Sequence, residues 1–372
     1  MSIVLLRFPH LAKQIFQKLD KEGLAKSRKV ERFWQKYIDE RNYLWLLIVN
    51  IPTVLENGNT YLHLAAEHGQ IDVFEMIINE DNNKDPINDL AQTPYLIACG
   101  KGRVNIASML MKKSLELNID LNQSDNGGRT ALHLACQEGC SGIAEMIVNK
   151  SSELKMDLNT KDTGGRTAFH LVCSRGHSEI AEIIINNSSK LKINLSTTTN
   201  SIVGTFVYQR TAFHLACYGG HIKIVKMILE NSSRLNFDLN RKDHSGYTAF
   251  QLVCLQGYLK IAEMMINQSL PMKIDLNTKC NHGMTVFHLA CVGLPSDDRT
   301  RIVEIILQQS EYHRIDLTAV DDIGQSGYQI AQFYNNTEVI NLIKSKVPTL
   351  VTNVTSQMSC LLSLWKKNST MR

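Results

Sequence analysis

A threonine, once replaced by serine, recurs along most of this chain at a nearly constant interval. Thr60, Thr93, Thr130, Thr167, Thr211, Thr248, Thr285 and Ser326 are separated by 33, 37, 37, 44, 37, 37 and 41 residues. Self-similarity at this period constrains the fold more than any other feature, because it signals stacked supersecondary units. Each unit reads as a turn, a short helix and a second helix. The turn opens with Asp and carries Gly, as in residues 125–129 (DNGGR) and 243–247 (DHSGY). Gly supplies backbone angles that other residues resist. Thr130 caps the short helix, its hydroxyl facing free amide N–H groups. Ala135 is small where a neighbouring helix must come close, and Gly139 ends the helix. In the second helix Ile143, Met146 and Ile147 fall on one face. Two helices cannot bury that face alone, so neighbouring units must stack.

The pattern of Gly128, Thr130, His133, Ala135 and Gly139, followed by Leu158-Asn159 and Asp162, resembles the ankyrin repeat. It recurs about eight times over residues 54–345. The resemblance implies an all-α solenoid of about eight helix-turn-helix repeats and a protein-binding role. Most units are 37 residues long, against about 33 for the family. Val73 to Thr93 is 20 residues and Ile143 to Thr167 is 24, so the extra four follow the start of the second helix. One added helical turn, about 3.6 residues, or a wider loop would absorb them. Residues 197–210 lengthen one turn by seven, and residues 293–300 add four between two helices. The first insertion would project from the turn side of the stack, where the family usually binds partners. A tolerated loop insertion accounts for it equally well.

His133/Cys136, His170/Cys173, His214/Cys217 and His288/Cys291 form four His-x-x-Cys pairs that look like metal ligands. The repeat offers another reason for them. In ankyrin-like units the His follows the capping Thr and bonds to backbone near the turn. Leu96, Gln251 and Gln329 stand at the His position, and Ala66 at the Cys position, where a ligand could not be spared. Equivalent residues on stacked helices are about 8–10 Å apart, too far for zinc at about 2.0–2.3 Å or for a disulfide. Cys99, Cys136, Cys173, Cys217, Cys254 and Cys291 are therefore expected as a ladder of small buried hydrophobes. No metal or cofactor is expected. Cys140, Cys280 and Cys360 lie off the ladder, and Cys280, at a turn, is expected to be the most exposed thiol.

Residues 8–45 do not repeat later. Leu11, Ile15, Phe16 and Leu19 make one helical face, Leu24 and Val30 mark a second helix, and Phe33, Trp34, Tyr37 and Ile38 a third. The segment resembles the F-box. Pro9 matches its opening Pro, followed by Ile15, Phe16, Leu19, Leu24, Val30, Trp34, Leu44 and Trp45. Leu19 to Val30 is 11 residues and Val30 to Trp34 is 4, both at the family's spacing. Glu31 replaces the usual Cys, and the stretch from Pro9 to Ile15 is about one residue short. The resemblance implies docking on the Skp-type adaptor of a cullin–RING ubiquitin ligase through Pro9, Leu11, Ile15, Phe16, Leu19, Leu24, Val30, Trp34 and Trp45. The other reading is an N-terminal cap over the first repeat. The domain division is then residues 1–50, a stack over 54–345 and a tail over 346–372.

The changeable positions of the stack precede the capping Thr and follow the helix-one Cys. Arg129, Arg166, Arg210 and Tyr247 occupy the first set, Arg175 and Tyr218 the second, with Lys161 and Lys242 nearby. Arg and Tyr are enriched at binding hot spots. These residues predict a protein partner with an acidic segment. A net charge of +4 without a basic run argues against a nucleic-acid partner. The most apolar stretch, residues 44–49, is too short to span a bilayer. No signal-peptide pattern opens the chain, and nine cysteines are an odd number, which predicts a cytoplasmic or nuclear protein with free thiols. No nucleophile–base pair, phosphate loop or paired-carboxylate signature suggests catalysis.

Overall fold

The computed structural model describes residues 56–350, apart from 81–82, 204–205, 236, 269–273 and 294. The F-box-like pattern from Pro9 to Trp45 lies outside the described residues. The chain divides into two compact units, Met1–Met146 and Ile147–Arg372. The first holds α1 (Tyr61–His68), α2 (Ile71–Glu80), α3 (Pro94–Gly100), α4 (Val104–Leu117) and α5 (Ala131–Glu138). The division falls inside α6 (Ser141–Lys150). The second unit holds α7 (Ala168–Arg175), α8 (Ser178–Leu191), β1 (Ser201–Val203), β2 (Phe206–Tyr208), α9 (Ala212–Tyr218) and α10 (Ile222–Leu235). It continues with α11 (Ala249–Gln256), α12 (Leu259–Asn267), α13 (Val286–Cys291), α14 (Asp297–Gln309), α15 (Gly327–Phe333) and α16 (Thr337–Lys346).

Within each unit the helix pairs stack as an all-α solenoid. In the first, α1 packs on α3 and α3 on α5, with α2 on α4 behind them. In the second, α7, α9, α11, α13 and α15 form the inner row, and α8, α10, α12, α14 and α16 the outer row. The inner helices are short, and α7, α9 and α11 begin with Ala followed by Phe, as α13 does with Val and Phe. Phe169, Phe213, Phe250 and Phe287 are all buried there, and Ala135, Ala216 and Ala290 keep the helices close. The outer helices bury one stripe each, such as Ile224, Val225, Ile228 and Leu229 of α10. The thiols of Cys99, Cys136, Cys173, Cys217, Cys254 and Cys291 are buried as expected of small core residues.

The four extra residues are an added helical turn in α4, α8 and α10, each of 14 residues against 10 for α2. The turn repeats a serine. Ser114, Ser188 and Ser232 donate through Oγ to the carbonyl three residues back, at 3.0, 2.7 and 2.8 Å. Their own carbonyls accept from Ile119, Ile193 and Phe237 N–H, closing the helix end. Asn118 and Lys192 supply the left-handed residue at that end (φ 53° in both). After α6 the same length appears as a turn over 151–155, with Ser151 bonded to Val148.

Each finger between repeats is built on a buried side chain. Asp125, Asp162, Asp243 and Asp321 accept from the N–H groups two and four residues on, at 2.7–3.1 Å. This closes a turn in which Gly128 and Gly165 adopt positive φ. Fingers bond to one another within each unit: Asn126 N–H to Leu90 in the first, and Asn200 to Gly164, Asn281 to Ser245 and Asp322 to His282 in the second. The asparagine of the Leu-Asn pair adds a second tie. Asn277 donates through Nδ2 to the Arg314 carbonyl and accepts from Asp316 N–H, both at 2.8 Å. Asn159 does the same toward Lys192 and Asn194.

Two expectations change here. The finger lengthened over residues 197–210 carries two paired β-strands, a departure from the all-α pattern expected. β1 and β2 are antiparallel with Ser201 opposite Tyr208 and Val203 opposite Phe206. The register continues into the finger, where Thr198 bridges Thr211 and Thr199 N–H bonds to Arg210. Cys280, expected to be exposed, is 6% exposed. It occupies the position that Asp holds in neighbouring fingers, so the fold buries it under its own turn and its Sγ accepts from His282 N–H at 3.4 Å. Among the described residues the partly exposed off-ladder thiol is Cys140.

Candidate protein-binding face

Three histidines of the His-x-x-Cys pairs, His170, His214 and His288, have both ring nitrogens engaged by backbone bonds, one at their own helix start and one on the following finger. In the second unit His170, His214 and His288 accept the N–H of the capping Thr at Nδ1, at 3.1–3.3 Å. Their Nε2–H groups donate to the carbonyls of Thr197, Tyr247 and Gln325 at 2.9–3.1 Å. His63 does the same toward Thr60 and Gln92 in the first unit. One neutral tautomer satisfies both bonds. Burial pushes His170 and His214 down to about 4. Gln251 copies the arrangement: its Oε1 accepts Thr248 N–H at 2.9 Å and its Nε2 donates to Thr278 at 2.7 Å. The histidines are thus hydrogen-bond bridges between a helix start and the next finger. Burial likewise raises the thiols of Cys99, Cys136, Cys217 and Cys291, and carries Cys254 to about 12.

The basic and aromatic positions predicted from sequence fall at the base of the fingers. In the first unit Arg129 forks onto the buried Asp125 carboxylate at 2.9 and 2.7 Å and reaches Gln137 Oε1 at 3.2 Å. In the second unit Arg166 binds Asp162 at 2.7 Å while its side chain stays 42% exposed. Arg210 is held from two sides. Its Nε donates at 3.2 Å to Asp243 of the following finger, and its guanidinium stacks 4.7 Å from the Tyr218 ring centroid. Tyr218 is 45% exposed beyond that stack. Tyr247 is half-buried, its hydroxyl raised first by burial and then by the neighbouring Cys280 thiol. Arg175 is exposed at the end of α7, and Lys242 donates to the Lys279 carbonyl at 2.7 Å.

Two of these contacts share a spacing that the sequence alone did not reveal. The residue before the capping Thr meets the residue eight places on, as Arg129 meets Gln137 and Arg210 meets Tyr218. The same spacing in sequence separates Arg166 from Ser174, Tyr247 from Leu255, Met284 from Val292 and Gln325 from Phe333. The last pair was missed in sequence, although the repeat spacing that finds it was in hand. Phe333 is 74% exposed, and Ile323 on the adjoining finger is 78% exposed.

The ankyrin-repeat family model matches residues 62–162 and 151–243. No curated protein sequence matches the chain. Among solved structures the chain is similar to the human ASB11 ankyrin repeat domain, with 20% identity and a TM-score of 0.52 over 66% of this chain and 97% of that one. It is also similar to the ankyrin repeat domain of Bcl-3, a member of the IkappaB protein family, with 17% identity and a TM-score of 0.50 over 68% of this chain and 98% of that one. At such identities the likeness establishes the stacked-pair fold.

Proposed function

This chain is an ankyrin-repeat protein, and from that premise we propose that it is a non-catalytic receptor subunit that holds one protein on its stack and another through its first fifty residues. The observation that carries the first half is the Arg210 arrangement. A guanidinium locked between Asp243 and Tyr218 presents a rigid aromatic surface whose ordering cost is met before any partner arrives. The binding residues of this reading are Arg129 in the first unit and Arg166, Arg175, Arg210, Tyr218, Lys242 and Tyr247 in the second, and the partner carries an acidic segment.

The second half rests on the spacing of Leu19, Val30 and Trp34, which supports an F-box-like handle for a Skp-type adaptor of a cullin–RING ubiquitin ligase. Ubiquitin transfer would occur on other subunits, and this chain would choose the substrate. A scaffold or inhibitor whose first fifty residues only cap the repeats is the competing reading, favoured by the apolar stripes of that segment. Co-purification with the adaptor separates them, comparing the full chain with one starting at Ile51. Adaptor retained by the full chain and lost on deletion supports the ligase reading. No retention by a full chain whose circular dichroism is helical removes it and leaves the scaffold.

A further inference from the structure

Resting on the protein-binding reading, we propose that the finger-and-groove face of the second unit takes one extended protein segment that is acidic at one end and apolar at the other. The chemistry of this face changes in one direction along the repeats. At the α7 repeat it is polar and basic: Arg166 is ion-paired to buried Asp162, while Arg175 and Lys161 are exposed. The single Asp162 charge offsets one of these three cations, and Glu179 at the start of α8 stands near the same helix junction. At the α9 and α11 repeats the pairs are amphipathic, Arg210 on Tyr218 and then Tyr247 with Leu255. At the α13 repeat the pair is Met284 with Val292, both part-exposed and apolar. At the α15 repeat Phe333 and Ile323 are among the most exposed apolar side chains of the described residues.

The far end offers an acidic residue no surplus of positive charge. Asp322 is exposed at the tip of the α15 finger, beside Ile323. Lys279, whose Nζ donates to the Val320 carbonyl of the same finger at 2.9 Å, offsets that charge, so an acidic residue gains nothing there, whereas at the α7 repeat it meets a surplus of positive charge. The gradient therefore sets the register of a bound segment as well as its composition. Inner helices stack at about 8–10 Å, so the four spacings from α7 to α15 cover about 32–40 Å, and an extended chain at about 3.3 Å per residue spans them with about 10–12 residues. Tyr218 and Tyr247 meet the middle of that segment, where either a polar or an apolar side chain is accommodated.

Fluorescence anisotropy on the full chain tests this with labelled peptides of about twelve residues. One set carries a Glu block at one end and a Leu/Phe block at the other, in both orders. The controls are an interleaved peptide of the same composition and one with Lys in place of Glu. One block order should bind at least about tenfold more tightly than the interleaved control. Arg175→Glu should weaken it, and Phe333→Ala should weaken it while leaving a Glu-only peptide unaffected; both side chains are exposed, and circular dichroism checks that the variants fold. Equal binding of block and interleaved peptides, or preference for the Lys peptide, overturns the proposed polarity while the stack remains a protein-binding face. No binding by any peptide to the folded chain overturns the binding face itself.

Discussion

The third residue of α1, α7, α9, α11 and α13 is a hydrogen-bond bridge, and where it is histidine its chemistry makes the fold sensitive to acid. His170 and His214 must stay neutral, because Nδ1 accepts from the capping threonine and only Nε2 carries a proton. Their folded values near 4 lie below the ordinary 6.5, so above pH 6.5 neither the folded nor the unfolded chain is protonated there and pH does not matter. As pH falls from 6.5 toward 4 the unfolded chain binds protons that the folded one refuses, and stability is lost, on the order of 3 kcal/mol per histidine. Urea midpoints measured across that range should fall less for His170→Gln/His214→Gln than for the native chain, since Gln251 makes the same two bonds without titrating. Parallel pH curves would refute the neutral-bridge account. The histidine's bond to backbone near the turn was expected from the ankyrin resemblance, while Gln251, read in sequence only as a break in the metal pattern, makes the same bonds in the structure. The burial of Cys280 was not expected, because a turn reads as surface until the side chain is seen to take the buried position that Asp holds in other fingers.

At the scale of elements, the unusual length of the repeats has a single physical form in α4, α8 and α10: one more helical turn closed by a serine carbonyl. Sequence placed the extra residues correctly but left turn and loop as equals, because both consume four residues. The 197–210 insertion was also located but not shaped. Its hairpin register runs unbroken through the Thr198–Thr211 bridge, so it is an elongated finger rather than a separate feature. Thr199 and Arg210 correspond to Asp162 and Arg166, which are joined by the three residues 163–165. Replacing residues 200–209 with Thr-Gly-Gly should therefore shift unfolding free energy by no more than about 1 kcal/mol. A loss of several kcal/mol in a urea titration would mean that the hairpin supports the stack.

For the molecule as a whole, α15 and α16 close the second unit. They cover the faces of α13 and α14, and a Cβ added at Gly327 would sit 2.7 Å from the buried Phe287 ring. Ending the chain before Ile315 should uncover these faces, lower the melting temperature by roughly 5 °C or more and raise light scattering. An unchanged, monodisperse protein would show that the last pair is not a cap. The sequence by itself determined the repeat, its eight capped helix pairs and the buried cysteine ladder, because caps, turn glycines and apolar spacing are local properties that each unit states again. The partners of charged side chains are not local. Arg129 and Arg166 pair within their own turns, but Arg210 reaches forward to Asp243 because Tyr247, not Arg, occupies that finger and leaves the carboxylate open. Only stacking decides such a choice, since it brings side chains 33 residues apart within hydrogen-bond distance and excludes the water that would otherwise solvate them.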